Sequence, residues 1–346
     1  MEETMDNNRN FDLLTLGQVL LRLSPPDNER LVRGDTFVKQ VGGAELNVAV
    51  GVALLGLHTG IISKLPAHDM GSFLKSKIRS YGVSDDYFIY DKSPGARVGI
   101  YYYENGAYPR KPKVIYDRSN SSFYSLDIDE IPEHVYGASR CFHTSGITLA
   151  LSPKLRETTM EMIRRFKAAG TLVSFDVNFR GNLWTGAEAK ACIEQILPYV
   201  DIFFCSEDTA RLTFLKTGTA REMMKSFTEE YPISIVASTQ RVVHSPKRHT
   251  FGSVMYDAKK DRFFEEEPYR DIDVVDRIGS GDAYISGALY GLLANDFDCA
   301  RAVQFGNATS AVKNTIPGDL PSSNLEEIET IIHAHNQKGP QSEMAR

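Results

Sequence analysis

The sequence predicts an α/β protein whose doubly wound, mostly parallel sheet is flanked by helices. Short apolar runs, such as residues 13–17 and 171–176, are typical of strands buried in a parallel sheet. From about residue 139 such runs alternate with helical stretches such as residues 153–169, and this alternation indicates parallel strands joined by crossover helices. No internal repeat or low-complexity linker divides residues 11–336, so we expect them to form one domain.

The composition limits the class of protein. With 346 residues, 42% of them hydrophobic, the chain can bury one large core or two modest ones. A net charge of −6 and the absence of any block of five like charges argue against a nucleic-acid partner. No apolar run approaches the roughly 20 residues that span a bilayer. The four cysteines show no C-x-x-C pairing, so we expect buried thiols in a reducing cytoplasm.

Two regions depart from the strand–helix alternation. Residues 98–104 and 113–118 alternate in polarity and are joined by a loop that contains Gly and Pro, which predicts an antiparallel strand pair. Residues 1–10 and 337–346 are polar and aperiodic, which predicts disordered tails.

A glycine-bearing turn at residues 276–282, D-R-I-G-S-G-D, is the strongest candidate for chemistry. Gly279 and Gly281 lack Cβ atoms, so consecutive N–H groups can converge on an anion at the start of the following small-residue helix. A carboxylate is electrostatically out of place there unless it takes part in the reaction, and Asp282 could accept a proton from an attacking hydroxyl. The alternative is a helix N-terminus that Asp282 merely caps.

Other glycine motifs do not fit this turn. A dinucleotide fingerprint needs a third glycine where this chain has Tyr284, which argues against a dehydrogenase. No G-x-x-x-x-G-K-[ST], H-R-D or D-F-G string occurs, so P-loop and protein-kinase mechanisms are unsupported.

The turn resembles the second signature, D-T-x-G-x-G-D, of the ribokinase-like (PfkB-type) carbohydrate kinases. Arg277 stands where Thr is usual, as in the D-R-x-G-x-G-D of the 2-keto-3-deoxygluconate kinase branch. Two other strings follow the family's order, a Gly-Gly-Ala turn followed by Asn at residues 42–47 and D-x-N-x-R at residues 176–180. The resemblance covers nearly the whole chain and implies a ribokinase-like fold.

The resemblance also implies roles for individual residues. A small β-sheet lid is expected from strands within about residues 22–42 and 95–120. The expected catalytic residues are Asp282 as base and the backbone amides of Gly279, Ser280 and Gly281. The expected substrate-binding residues are Gly43, Asn47, Tyr101, Tyr116, Arg118 and Arg180. The expected nucleotide-binding residues are Asn178, Ser206, Thr239, Arg241, Gly279, Gly281 and Asn307.

Several of these positions have plainer interpretations. Asn47 could face solvent after a close strand-to-helix connection, and the lid tyrosines could serve sheet packing. Arg180 could be a surface residue. Ser206 and Thr209 replace the N-x-x-E that many relatives use toward magnesium, which leaves Glu207 or Asp208 as a substitute metal ligand. Thr239 lies where relatives place a V-T-x-G turn, but the glycine is absent.

The function that the resemblance implies is ATP-dependent phosphorylation of the terminal hydroxyl of 2-keto-3-deoxygluconate. ATP and Mg²⁺ are the expected cofactors, with a monovalent cation as a further candidate. Arg118 and Arg180 suit a substrate carboxylate, since a guanidinium can donate two parallel hydrogen bonds to it. A neutral-sugar kinase resembling fructokinase is the alternative, and a non-catalytic sugar-binding relative is a third reading that Asp282 disfavours. A homo-oligomer formed through the lid is expected.

Overall fold

The computed structural model describes residues 9–337. Within this range the chain forms two β-sheets and ten α-helices. The strands are β1 (Phe11–Leu16), β2 (Leu20–Ser24), β3 (Val38–Gly42), β4 (Thr59–Pro66), β5 (Phe88–Asp91), β6 (Gly99–Glu104), β7 (Lys113–Asp117), β8 (Ser139–Ser145), β9 (Leu172–Asp176), β10 (Ile202–Phe204), β11 (Ile235–Ser245), β12 (Arg248–Asp257), β13 (Arg262–Glu265) and β14 (Tyr269–Asp273). The helices are α1 (Ala44–Leu54), α2 (Asp69–Ser80), α3 (Gly146–Ala150), α4 (Pro153–Ala168), α5 (Gly186–Ile193), α6 (Glu207–Leu212), α7 (Ala220–Glu230), α8 (Ser280–Ala294), α9 (Cys299–Asn314) and α10 (Leu325–Asn336).

The large sheet has ten strands. Nine lie in the order β13-β12-β11-β10-β9-β8-β1-β4-β5, and β14 pairs with β12. Neighbours from β11 to β5 are parallel, whereas β12, β13 and β14 extend the sheet by antiparallel pairing. The prediction of a doubly wound, mostly parallel sheet is confirmed.

Helices cover both faces of this sheet because neighbouring side chains along each strand point to opposite sides. On β10, Ile202 and Phe204 pack in a core with residues of α1, α8 and α9. Phe203, between them, packs in a second core with residues of α4, α5 and α7. A strand covered on both faces, such as β10, is therefore apolar throughout, which is why its sequence is a continuous hydrophobic run.

The small sheet has four strands in the order β3-β2-β6-β7. It follows directly from the carboxyl end of β1, since only three residues separate β1 from β2. Its inner side carries Leu20, Tyr101 and Tyr103, which are buried and pack against Ile278 of the glycine turn. The antiparallel pair predicted at residues 98–118 is present as β6 and β7. This arrangement brings the small sheet over the turn that precedes α8.

Three elements differ from the sequence-based expectations. β11 runs as a strand through Thr239 and Arg241 into a hairpin with β12, so no turn forms there. α8 begins at Ser280, so Asp282 lies inside its first turn. The sequence of residues 299–313 predicts an amphipathic helix, but α9 is buried around most of its circumference.

The predicted tails fall largely outside the described residues. Of the tail positions that are described, Arg9 donates a hydrogen bond of 3.0 Å to the carbonyl oxygen of Gly170. No helix within residues 9–337 is long and apolar enough to cross a membrane.

Candidate active site

A cavity of about 460 Å³ lies where the small sheet meets the carboxyl edge of the large sheet. The N-termini of α1 and α8 and the end of β9 contribute to its wall. Of the residues predicted from sequence, the structure brings together Gly43, Asn47, Tyr101, Tyr116, Arg118, Asn178, Arg180, Arg241, Gly279, Ser280, Gly281 and Asp282 around this cavity.

The turn before α8 has the geometry of an anion site. Gly279 adopts φ 80, and a Cβ there would lie 2.0 Å from the carbonyl oxygen of Asp319, so the close approach requires glycine. A Cβ on Gly281 would meet nothing within 4 Å. No side chain of residues 9–337 caps the start of α8. The Ser280 amide donates to the carbonyl oxygen of Arg277 at 3.2 Å, whereas the amides of Gly279 and Gly281 make no hydrogen bond to the described residues. These two amides are therefore left for a ligand, and the helix dipole favours an anion.

Asp282 lies at this helix start with its carboxylate turned to Asn47. The Asn47 amide Nδ2 donates to Asp282 Oδ2 at 2.7 Å. Burial raises the pKa of Asp282 to about 7, against the opposing effects of the Asn47 hydrogen bond and the charge of Arg180. A carboxylate with a pKa near neutrality is well matched to accept a proton from a hydroxyl.

Gly43 and Asn47 are placed by the start of α1. Gly43 adopts φ 140, and a Cβ there would lie 2.4 Å from the carbonyl oxygen of Gln18. Asn47 is 2% exposed, which excludes the solvent-facing interpretation. Its Oδ1 has no hydrogen-bond partner among the described residues. Asn47 therefore orients Asp282 and retains a free acceptor for a ligand hydroxyl.

Two further carboxylates of the site were not singled out from the sequence. Asp176 lines the cavity, and burial together with the charge of Asp282 raises its pKa to about 7. Glu45 is 2% exposed and accepts hydrogen bonds of 2.7 Å from the hydroxyls of Ser145 and Thr148. Burial raises the pKa of Glu45 as well. The available signal for Asp176 was its place at the end of an apolar strand, within the D-x-N-x-R string.

The same cavity is lined by four arginines, Arg118, Arg180, Arg241 and Arg277. Arg118 is buried, and its Nε donates to Gln18 Oε1 at 2.7 Å. Arg180 donates to the carbonyl oxygen of Phe179 at 3.1 Å. The positive charge of Arg277 adds to desolvation in lowering the pKa of Arg241. The ion pairs within residues 9–337 involve none of these four arginines, so all four are available to an anionic ligand.

The two predicted tyrosines differ in their surroundings. The Tyr101 hydroxyl donates to Asp319 Oδ2 at 2.5 Å, and its ring is 3% exposed. Tyr116 is 43% exposed, and its ring centroid lies 5.8 Å from that of Tyr101. Tyr101 therefore serves sheet packing and also lines the cavity, whereas Tyr116 presents its ring and hydroxyl more openly.

A groove of about 260 Å³ adjoins the cavity. The two share Asp176, Asn178, Arg180 and Gly281. Farther along, the groove is lined by Ser206, Thr209 and Thr239, which belong to the predicted nucleotide set or lie beside it. The Ser206 hydroxyl caps α6 by accepting from the Thr209 amide at 3.2 Å.

Three residues named from the sequence, Glu207, Asp208 and Asn307, lie apart from the cavity and the groove. Glu207 is ion-paired with Arg211 at 2.8 Å and lines neither space. Asn307 is fully buried in α9, where its Nδ2 donates to Glu266 Oε1 at 3.0 Å. Across residues 9–337 no group of three or more His, Cys, Asp and Glu side chains could hold a metal ion. The protein alone therefore offers no complete metal cage in this range.

A buried charge cluster lies behind the turn and was not predicted. Arg22 of β2 pairs with Asp276 at 2.5 Å and with Asp319 at 2.7 Å, and each of these residues is less than 5% exposed. Lys313, at the end of α9, is 1% exposed and lies beside them. The cluster joins the small sheet, the turn before α8 and the segment after α9.

Comparison with known proteins agrees with this geometry. Residues 10–325 match the family described as pfkB family carbohydrate kinase. The chain is 34% identical over 321 residues to 2-dehydro-3-deoxygalactonokinase of Haloferax volcanii, covering 93% of this chain and 96% of that protein. It is 27% identical over 329 residues to 5-dehydro-2-deoxygluconokinase of Listeria monocytogenes, covering 94% of this chain and 96% of that protein. The crystal structure of 2-dehydro-3-deoxygluconokinase from Thermotoga maritima superposes with a TM-score of 0.88 at 31% identity, covering 93% of this chain and 99% of that one. The chain thus belongs to the pfkB family of carbohydrate kinases.

Proposed function

We propose that this kinase transfers the γ-phosphoryl group of ATP to the terminal hydroxyl of 2-keto-3-deoxygluconate. The observation that carries the proposal is the pairing, in one cavity, of Asp282 at an uncapped helix start with four arginines that form no ion pair within residues 9–337. Relatives named for phosphorylating keto-deoxy sugar acids support the choice of substrate class.

In the proposed reaction Asp282 acts as general base. The terminal hydroxyl gives its proton to the Asp282 carboxylate while its oxygen attacks the γ-phosphorus, and the bond from that phosphorus to the leaving ADP oxygen breaks. Asn47 holds the carboxylate in position through the 2.7 Å hydrogen bond to Oδ2. The phosphoryl group passes from ATP to the sugar with no covalent intermediate on the protein.

The charge of the transferring group is met by backbone and side chains. The amides of Gly279, Ser280 and Gly281 lie at the positive end of the α8 dipole. Arg241 and Arg277 line the same cavity and would add positive charge toward a phosphoryl oxygen. Preorganised donors of this kind contribute much of the rate in phosphoryl transfer.

Magnesium fits the site as a companion of ATP. Mg²⁺ in kinases binds one or two carboxylates together with the substrate phosphates, so a complete protein cage is not needed. Asp176 is the carboxylate at the junction of the cavity and the groove and would hold the ion, which would supply further neutralisation of phosphate charge. Glu207, paired with Arg211 outside both spaces, is poorly placed for this role.

A substrate carboxylate would offset the free-energy cost of burying the Arg118 guanidinium. A buried charge is stabilised only when it is paired and hydrogen-bonded, yet within residues 9–337 the side chain of Arg118 bonds to Gln18 and to no acid. Burial lowers the pKa of Arg118, which reflects this unfavourable desolvation. Arg180, on the same cavity, offers a second guanidinium. A neutral hexose would leave the buried Arg118 without an ion-pair partner, whereas Arg180 is exposed and lies near Asp282.

The test is a coupled ATP assay over sugar acids and neutral sugars. The panel comprises 2-keto-3-deoxygluconate, 2-keto-3-deoxygalactonate, 5-keto-2-deoxygluconate, fructose, ribose and tagatose. Replacing Arg118 or Arg180 with alanine should cost roughly 2 to 4 kcal/mol in kcat/KM toward the acid, or about 30- to 900-fold, and far less toward a hexose. Arg164→Ala, on the outer face of α4, is the matched control and should leave both rates unchanged.

Two outcomes would overturn the carboxylate assignment. If fructose were the better substrate, or if both arginine variants weakened acids and neutral sugars equally, the enzyme would be a neutral-sugar kinase. If neither class were phosphorylated although both were bound, the chain would be a sugar-binding relative without catalysis.

We also propose that the protein forms a homo-oligomer through the small sheet. Its two edge strands carry exposed apolar side chains, among them Val38 of β3 and Ile115 of β7 at 48% and 53% exposure. An open strand edge with exposed apolar residues is a ready surface for a second copy. A monomeric mass by light scattering at assay concentration would contradict this proposal.

A further inference from the structure

Lys313 places an ammonium group in the interior of the protein. The residue is 1% exposed, and lysine is almost never buried to this degree without a counter-charge. Its Nζ lies 3.1 Å from the carbonyl oxygen of Ile316 and 3.3 Å from the carbonyl oxygen of Asp276. Its hydrogen bonds to the described residues thus go to backbone carbonyls. Its charge is balanced by the nearby carboxylates of Asp276 and Asp319.

These two carbonyls belong to the segments that shape the active-site turn. Asp276 opens the turn, and its carboxylate accepts from the amides of Ile278 at 3.0 Å and Gly318 at 3.1 Å. The second segment reaches the turn again at Asp319, whose carbonyl oxygen leaves no room for a Cβ on Gly279. Lys313 therefore clamps together the two backbone segments whose contact sets the position of the amides before α8.

A buried positive charge held by backbone carbonyl oxygens is also how proteins bind a potassium ion. The resemblance to carbohydrate kinases raised a monovalent cation as a candidate cofactor. The carbonyl oxygens of Asp276 and Ile316, beside the turn, are suited to bind such a cation. The residues present do not fit such an ion, because Lys313 already occupies these oxygens. Arg22 supplies a second buried positive charge and takes both neighbouring carboxylates, Asp276 and Asp319.

We propose that the ammonium of Lys313 performs the task of a bound monovalent cation, positioning the turn at residues 276–279 against residues 316–319, so that this kinase works without potassium or sodium. Lys313 is a positioning residue, since it acts through the turn and does not line the cavity. The proposal rests on the proposed kinase activity for its kinetic readout alone.

The first experiment uses the wild-type enzyme in buffers freed of sodium and potassium. Its rate should be the same in potassium chloride, sodium chloride and choline chloride at equal ionic strength. Activation by potassium or sodium over choline would overturn the proposal, whatever any variant does.

The second experiment removes the ammonium and offers a replacement. Lys313→Ala leaves space for an ion, whereas Lys313→Met fills the space without charge. Both should lose on the order of 10- to 100-fold in kcat, with smaller changes in KM, because the turn is misplaced while the ligand contacts remain. Potassium, ammonium or ethylammonium should restore part of the kcat of Lys313→Ala and little of that of Lys313→Met. Lys259→Ala, which removes an exposed lysine, is the control and should behave as wild type.

The third readout does not depend on catalysis. Potassium chloride, compared with choline chloride, should raise the thermal midpoint of Lys313→Ala and leave that of the wild type unchanged, since an ion that binds the folded state stabilises it. Full activity in both variants, or a folded Lys313→Ala that no small cation rescues or stabilises, would refute the positioning role. Because the thermal shift needs no turnover, it separates failure of this inference from failure of the proposed function.

Discussion

Replacing Asp282 with asparagine should make the protein more stable and almost inactive. The change is nearly isosteric, and the new amide oxygen can still accept the hydrogen bond from Asn47. It removes the proposed proton acceptor, so kcat should fall by about 100-fold or more while sugar and ATP still bind.

The gain in stability follows from the raised pKa. A rise from 3.8 to about 7 corresponds to about 3 units, or about 4 kcal/mol at about 1.36 kcal/mol per unit. Asp282 borders an open cavity, and solvent screening reduces the expected gain to about 1 to 2 kcal/mol. Since the folded state holds this proton more tightly than the unfolded state, the cost of ionisation is complete above about pH 7. It shrinks as the pH falls from there toward 3.8.

The assay is urea denaturation of wild type and Asp282→Asn at pH 8 and at pH 5.5, alongside turnover and ligand titration at pH 8. The stability difference should be largest at pH 8 and narrower at pH 5.5. Glu229→Gln, an exposed carboxylate-to-amide change on α7, should show no such difference. The reasoning is refuted if the variant keeps more than about a tenth of wild-type turnover, or if it is less stable than wild type at pH 8.

Two further predictions concern the same helix start. Asn47→Ala should shift the acidic limb of the kcat/KM profile to higher pH, because the Asn47 hydrogen bond lowers the pKa of Asp282; a shift to lower pH would contradict the assigned hydrogen bond. Gly281→Val should abolish transfer with little change in the thermal midpoint, because its Cβ meets nothing within 4 Å and Gly281 lies where the cavity and the groove meet, at the proposed position of the phosphoryl group. Full activity of Gly281→Val would mean that the turn serves only to begin the helix.

Local signals in the sequence were sufficient for the fold class and for the turn. Strands buried on both faces read as apolar runs, and residues 171–176 could be recognised without any tertiary information. The turn was recognisable because its D-R-I-G-S-G-D string is contiguous in the sequence, and the φ of 80 at Gly279 is a local requirement for glycine.

Features that depend on contacts distant in sequence were not predictable. Arg22 meets partners 254 and 297 residues away, and no local pattern marks such a pair.

The burial of α9 was also not predictable. Its sequence looked amphipathic because small residues carry little hydrophobic signal, yet small residues let neighbouring helices pack closely. A Cβ on Gly287 of α8 would lie 2.4 Å from the carbonyl oxygen of Phe305 of α9. The continuation of β11 through Thr239 could have been inferred, since the glycine needed for a turn was missing.

The pairing of Arg22 with Asp276 and Asp319 bears on how this enzyme could be re-engineered. Removing one partner of a buried ion pair leaves an uncompensated charge, at a typical cost of about 3 to 5 kcal/mol. Trimming or transplanting β2 would impose that cost at the turn before α8. The small sheet is therefore not an exchangeable module, and a chimera between relatives must inherit residues 20–24, 276–282 and 319 from the same parent.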